Sequence, residues 1–202
     1  MTVELHKDDL PPGRVWGNAV AVDTEALGLN PYRDRLCLVQ LSAGDGNAEL
    51  VQIGRDRDAP ELVRLLADES VVKIFHFGRF DMAVLKHRFG VMPRPAYCTK
   101  IASKLARTFT DRHGLKDLCR ELLGVELSKQ QQSSDWGADT LTPEQLNYAA
   151  SDVLYLHALR EKLDAMLGRE GRDGLVRACF AFLPTRVDLD LQGWSDMDPF
   201  AH

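Results

Sequence analysis

The sequence predicts a single α/β domain with a mixed sheet covered by helices. Three observations lead there. The chain has 202 residues, 45% of them hydrophobic and 27% charged, which suits one sizeable soluble core. Short apolar runs separated by turn residues fill its first half. From Thr99 onward the spacing is almost wholly helical, so strands come first as a meander and then alternate with helices.

"DLPPGR" near the start reads as a turn or irregular lead-in. Three strand-like runs follow, around Trp16 to Val22, at Arg35 to Ser42 and at Ala48 to Ile53, the last two joined by the turn "AGDGN". "PELVRLLAD" has helical spacing with Pro60 at its start. "VVKIFHF", Val71 to Phe77, is a fourth strand, and "RFDMAVLKHRFG" is a helix stopped by Gly90. A short extended "AYC" precedes a helix beginning at Thr99. "GLKDLCRELLG" is amphipathic and ends in Gly124. "LTPEQLNYAASDVLYLHALREKLDAMLGREG" reads as one long helix, with Thr142 as N-cap and Pro143 in the first turn. A further helix covers roughly Asp173 to Phe182, and residues 184–202 form an acidic tail without clear periodicity.

The bulk properties narrow the function classes. No apolar run approaches a membrane span, and "MTVELHKDDLPPGR" has no signal-peptide pattern, so a cytoplasmic location is expected. Cys37, Cys98, Cys119 and Cys179 are far apart and form no C-x-x-C, which points to reduced, packed thiols. The net charge is −5, yet the segment Lys73 to Lys129 holds 12 Lys and Arg against 5 Asp and Glu. A basic middle between acidic ends is compatible with a phosphate-facing surface and equally with ordinary surface patterning.

The chemistry is carried by carboxylates. In "AVAVDTEALGL" four apolar residues, Ala19 to Val22, run straight into Asp23, and Glu25 follows on the same face of an extended chain. A solvated strand end is the plain explanation of this pair alone. Two more acids weaken it. Asp81 lies in the first turn of the helix after the fourth strand, and Asp152 lies among Ala149, Ala150, Val153 and Leu154, with Tyr148 four residues earlier on the same helix face. Four acids in apolar sequence, with no basic residue beside each, call for hard divalent cations such as Mg²⁺ or Mn²⁺, and no Cys/His set suits zinc. Two such ions about 3.5–4 Å apart are a known arrangement for phosphodiester hydrolysis.

"VDTE", "HFGRFD" and "YAASD" resemble, in order, the three motifs of the DEDD exonuclease superfamily. Tyr148 marks the tyrosine subclass that includes ribonuclease D, while Asn147 stands where the histidine subclass has its His. "DTEALGLNPYRDRLCLVQLS", "CTKIASKLARTFTDRHGLK", "KQQQSSDW" and "GWSDMDPFAH" extend the likeness over essentially the whole chain, to the nano-RNase C family of short ribonuclease-D-like enzymes. The resemblance implies an RNase H-like fold, one exonuclease domain over residues 1–202 without the C-terminal helical domains of ribonuclease D, two divalent cations, 3'→5' hydrolysis of short oligoribonucleotides (dinucleotides especially), and a homo-oligomer, a ring of eight.

It also implies residue roles. Asp23, Glu25 and Asp152 bind the metal that activates water, Asp23 bridges to a second metal completed by Asp81, and Tyr148 orients the attacking water. Tyr148 is a poor general base, since an unperturbed phenol has a pKa of about 10. Leu29 is placed to wedge against bases, although an ordinary core leucine fits nearly as well. Thr24, His76, Phe77, Lys129 and Trp136 are candidate substrate contacts, and Arg107, Arg112 and His113 candidate phosphate contacts, each with a plain packing or solvation alternative. The acidic tail, with Trp194 and Phe200, is a candidate oligomer contact. An exonuclease for longer structured RNA or single-stranded DNA is the competing enzyme reading, because nothing local reports how a 2'-OH is read. An inactive nucleic-acid-binding module is the alternative outside enzymes, disfavoured because all four acids and the tyrosine are present.

Overall fold

The computed structural model describes residues 2–55, 57–128 and 134–201. Its six strands are β1 (Val3–Lys7), β2 (Ala19–Ala26), β3 (Leu36–Ser42), β4 (Ala48–Gln52), β5 (Val72–Phe75) and β6 (Ala96–Cys98), in the sheet order β1-β4-β3-β2-β5-β6. β2, β3 and β4 form the expected antiparallel meander, while β1 on β4 and β5 and β6 beyond β2 pair in parallel, so the sheet is mixed.

Side chains alternate between the two faces. Val20 and Val22 join Val39, Leu41 and Val51 in one core, with Leu62 and Leu66 of α1 (Pro60–Ala67) and Met82 and Leu85 of α2 (Arg79–Phe89). Ala19, Ala21 and Ile74 face the other layer, where α3 (Thr99–Ala106), α5 (Pro143–Leu154) and α6 (Leu156–Arg169) pack. α7 (Asp173–Leu191) serves both cores, with Val176 in one and Leu183 and Val187 in the other, and so passes around the β6 edge. Lys73, buried in the sheet, is satisfied by donating to the carbonyls of Asp68, Val71 and Arg94.

Several boundaries differ from the sequence expectation. β1 is a strand with no counterpart among the sequence expectations; just Val3 and His6 are half-buried, so this edge strand carries little apolar signal. β5 stops at Phe75, leaving His76 and Phe77 in the turn that follows it. The expected long helix breaks at Tyr155 into α5 and α6; a straight helix through both would run about 40 Å, whereas α5 covers β1 to β4 and α6 packs on β5 and α3. Asp152 therefore sits near the end of α5, not mid-helix. α4 (Leu115–Leu118) runs into a π-helical turn, Cys119–Leu123, before Gly124 ends it at φ 70°. α7 continues through Pro184 to Leu191, which takes up half of the expected acidic tail. Cys37, Cys98 and Cys119 are buried as expected, but Cys179 is exposed on α7. No helix among the described residues is long and apolar enough to cross a membrane.

Candidate active site

β2 carries Asp23 and Glu25 on the same face as Ala19 and Ala21. Its pairing with β5 ends at Ala21–Ile74, while its pairing with β3 continues past Glu25. The acids thus lie where one flank of β2 is open, beyond the C-terminal end of β5. The first turn of α2 fills part of that opening. Gly78 makes this possible: a Cβ there would stand 2.6 Å from Cβ of Phe75, so the chain turns back over β5 only with glycine. Phe77 adopts φ 66° in the same turn. Asp81, third residue of α2, comes in from this side and accepts a hydrogen bond of 2.7 Å from Oγ1 of Thr24.

α5 supplies the other wall. Thr142 and Gln145 close a capping box at its start, fixing the helix end from which Tyr148 and Asp152 project. Carboxylate oxygens of Asp23, Glu25 and Asp152 lie within 4.8 Å of one another. Asp81 stands outside this trio, held by Thr24, so the structure divides the four acids three and one.

Burial is the first cause of raised pKa in all four. Asp23 is raised well above the usual carboxylate range, then further by Asp81, Asp152 and Glu25. Glu25 rises to about 8 through burial and then Asp152 and Asp81. Asp152 rises to about 7 through burial and Asp81. Asp81 rises to about 7 through burial, opposed by the Thr24 hydrogen bond. No ion pair reaches these acids among the described residues. An all-oxygen, mutually repelling donor set fits a hard divalent cation, which would restore charge balance.

A pH dependence follows. Unfolded carboxylates titrate near pH 4, these folded ones near 7 to 8, so between those values the folded state holds more protons. Stability without metal is then fully present below pH 4 and falls as pH rises through 7 to 8. In EDTA the Tm is expected to drop by several degrees between pH 5 and 8.5, and Mg²⁺ to raise it more at pH 8 than at pH 5. Thermal melts check this, and a flat EDTA profile would contradict the cluster's repulsion.

The acids stand between two clefts. One, about 670 Å³, runs from Asp23 and Glu25 past Leu29, Phe77 and Trp136. The other, about 310 Å³, is lined by Glu25, Tyr148 and Asp152 and by Gly114 to Asp117. Leu29 is 85% exposed and Phe77 50% exposed, so neither is a core residue. His76 borders both clefts. Its Nδ1 is 2.8 Å from Oγ1 of Thr99, whose own hydroxyl donates to the Phe75 carbonyl at 3.1 Å; Nδ1 therefore carries the proton and donates. Burial, then Lys100, push the His76 pKa down to about 3, so the ring stays neutral.

Other expectations are corrected. Trp136 is 3% exposed and packs against Tyr148 at 6.1 Å between ring centroids, so its face is not free to stack on a base. Arg107 is 1% exposed and bound to Glu121, Ser103 and the Arg112 carbonyl, and His113 is buried against Ser103; neither reaches phosphate. Arg112 is exposed. Thr24 borders both clefts, but its hydroxyl is committed to Asp81. Lys129 lies outside the described residues. The sequence reading missed Lys116, which lines the acid cleft, and Lys100, whose Nζ stands 4.1 Å from the Phe77 ring centre. Their only sequence signal was the basic balance of this region.

Residues 13–168 match the 3'-5' exonuclease family. The chain belongs to that family. The matched span contains Asp23, Glu25, Asp81, Tyr148 and Asp152. Among solved structures, this exonuclease is similar to Brucella melitensis NrnC with bound Mg²⁺ at 59% identity and TM-score 0.96, covering 100% of both chains. It is similar to the same protein bound to pGG at 60% identity and TM-score 0.97, covering 100% of this chain and 99% of that one. Ribonuclease D of Granulibacter bethesdensis is 36% identical over 153 residues, 76% of this chain. The exonuclease spans about two-fifths of that relative's length, 38%. The mixed sheet flanked by helices is the RNase H-like fold of these enzymes.

Proposed function

We propose that the protein is a divalent-metal-dependent 3'→5' exoribonuclease whose preferred substrates are short oligoribonucleotides, dinucleotides above all. The observation that carries this reading is the convergence of Asp23, Glu25 and Asp152 beside a cleft bordered by exposed Leu29 and Phe77. Supporting it, NrnC, which is similar over the whole of this chain, has been solved with Mg²⁺ and with pGG.

Asp23, Glu25 and Asp152 would hold one cation, and Asp23 with Asp81 a second. When bound, such ions lower the pKa of water and neutralise phosphate charge. Tyr148 borders the same cleft as these acids, with its phenol pKa raised by burial and then by Asp152, Glu25 and Asp23. It keeps its proton at neutral pH and acts as a hydrogen-bonding group that orients the attacking water. Leu29 and Phe77 present apolar surface to the bases. His76, a neutral ring, offers Nε2 as an acceptor for a sugar hydroxyl. The tail, with exposed Trp194, Met197 and Phe200, is suited to contact another copy in a homo-oligomer.

Substrate length tests this reading. An extended phosphate track strengthens binding with each added contact and steepens salt dependence, whereas a site that grips the last two nucleotides gains little from more. A 5'-phosphorylated diribonucleotide is expected to be cleaved at least as efficiently as a twenty-nucleotide RNA, with Mg²⁺ or Mn²⁺ present. The measurement is kcat/KM for both, and for the matching DNA, at two salt concentrations. A strong preference for long RNA that fades with salt would favour the ribonuclease-D-like alternative, and equal turnover of DNA would remove the RNA assignment.

A further inference from the structure

The segment between α3 and α4 is pinned from inside. Arg107, the residue after α3, donates through Nη1 to the Arg112 carbonyl at 2.8 Å and to Ser103 Oγ at 3.4 Å, and pairs through Nη2 with Glu121 in the π-helical turn. His113 Nδ1 lies 2.8 Å from the same Ser103 hydroxyl. One buried guanidinium thus ties α3, the loop and the π turn together, and what this frame presents to the acid cleft is the short stretch Gly114 to Asp117.

Within that stretch the charges are not equivalent. Asp117 is paired with Arg120 at 2.8 Å. The Lys116 side chain forms no ion pair or hydrogen bond among the described residues, and among those residues it is the one cationic side chain bordering the cleft that Asp23, Glu25, Tyr148 and Asp152 share. The cleft is about 310 Å³, roomy enough for a phosphate group and its substituents. Of the other cations nearby, Arg79 is taken by Asp190, and Lys100 sits over Phe77.

We propose that Lys116 is a phosphate-binding residue that contacts a non-bridging oxygen of the phosphodiester being cleaved and keeps that contact on the phosphate of the released nucleotide. This rests on the exonuclease reading above. In the reaction a water oxygen bonds to phosphorus as the bond from phosphorus to the 3'-oxygen breaks; the water gives up a proton and the leaving 3'-oxygen gains one. The phosphoryl group passes from one negative charge toward two, so an ammonium in the same cleft as the carboxylates stabilises the transition state more than the ground state. The frame built on Arg107 positions it: a flexible lysine on a mobile loop would lose that gain to ordering.

The experiment compares wild type, Lys116→Met and Lys116→Arg. Turnover of a 5'-phosphorylated diribonucleotide with Mg²⁺ is measured at several salt concentrations. Calorimetric binding of guanosine 5'-monophosphate, with guanosine as control, is measured with and without Mg²⁺. Lys116→Met is expected to lower kcat/KM about 100-fold, mostly through kcat, to weaken the monophosphate but not guanosine, to flatten the salt dependence by about one phosphate contact, and to keep the wild-type Tm. Lys116→Arg is expected to recover much of the loss. Unchanged turnover and monophosphate affinity in Lys116→Met would overturn the proposal. So would a variant altered only in the pH dependence of its metal-free Tm, since Lys116 would then merely offset the acids. If wild type fails to cleave the dinucleotide, the dinucleotide reading fails, and monophosphate binding still decides whether Lys116 holds phosphate.

Discussion

Asp23→Ala is expected to abolish hydrolysis while the protein remains folded. Asp23 sits at the centre of the carboxylate cluster, where Asp81, Asp152 and Glu25 all act on it. Its loss removes a ligand from the candidate metal site and, with metal bound, leaves a cation short of charge. The rate is expected to fall at least about 1,000-fold, or about 4 kcal/mol in the barrier. Stability should move the other way without metal. Removing one of several buried, mutually repelling acids relieves Glu25 and Asp152, so the Tm in EDTA at pH 8 should equal or exceed wild type, while the Mg²⁺-induced rise shrinks. Asp152→Ala should behave alike. Turnover assays paired with melts in EDTA and Mg²⁺ decide it; retained turnover, or a wild type indifferent to chelation, would end the metal account.

Tyr148→Phe is expected to lower kcat about 100-fold with Tm and Mg²⁺ response near wild type. The ring packs against Trp136 and borders the cleft, and phenylalanine keeps that packing. Only the hydroxyl is lost. Because the phenol pKa is raised by burial and by three carboxylates, the hydroxyl is expected to orient water and not to deprotonate it. The kcat–pH profile of the variant should therefore keep the wild-type shape at lower amplitude, the signature of a lost contact realised in the transition state. A profile that loses one limb would instead make Tyr148 a proton acceptor, and near-normal activity would leave it a packing residue.

The corrections share a cause. Arg107 and His113 stand in a basic segment and invite assignment to phosphate, yet both are buried around Ser103 and Glu121. Lys116, in the same segment, lies in a stretch whose own sequence signature is amphipathic, yet it borders the acid cleft. Sequence shows that a segment is basic; which cation faces the site depends on how the loop folds over its own guanidinium. Trp136 illustrates the same point, since an aromatic beside a polar run reads as a base platform until its packing against Tyr148 is known.

The sequence by itself determined the chemistry and the layered class. Residue types at short spacings carry that information: Asp23 and Glu25 two apart on a strand, Asp81 in a helix's first turn, Tyr148 and Asp152 four apart on a helix. Such patterns follow from local backbone periodicity, so they are legible without the fold. Only the tertiary structure decided what depends on distant parts of the chain. That includes the pairing of β1 with β4, the break at Tyr155 imposed by covering two parts of one sheet, and the early end of β5 that opens a flank of β2. It includes the division of the acids into a trio and an Asp81 held by Thr24. Each of these is an interaction between segments tens of residues apart, set by packing and by the satisfaction of buried polar groups, and neither leaves a mark on any short window of sequence.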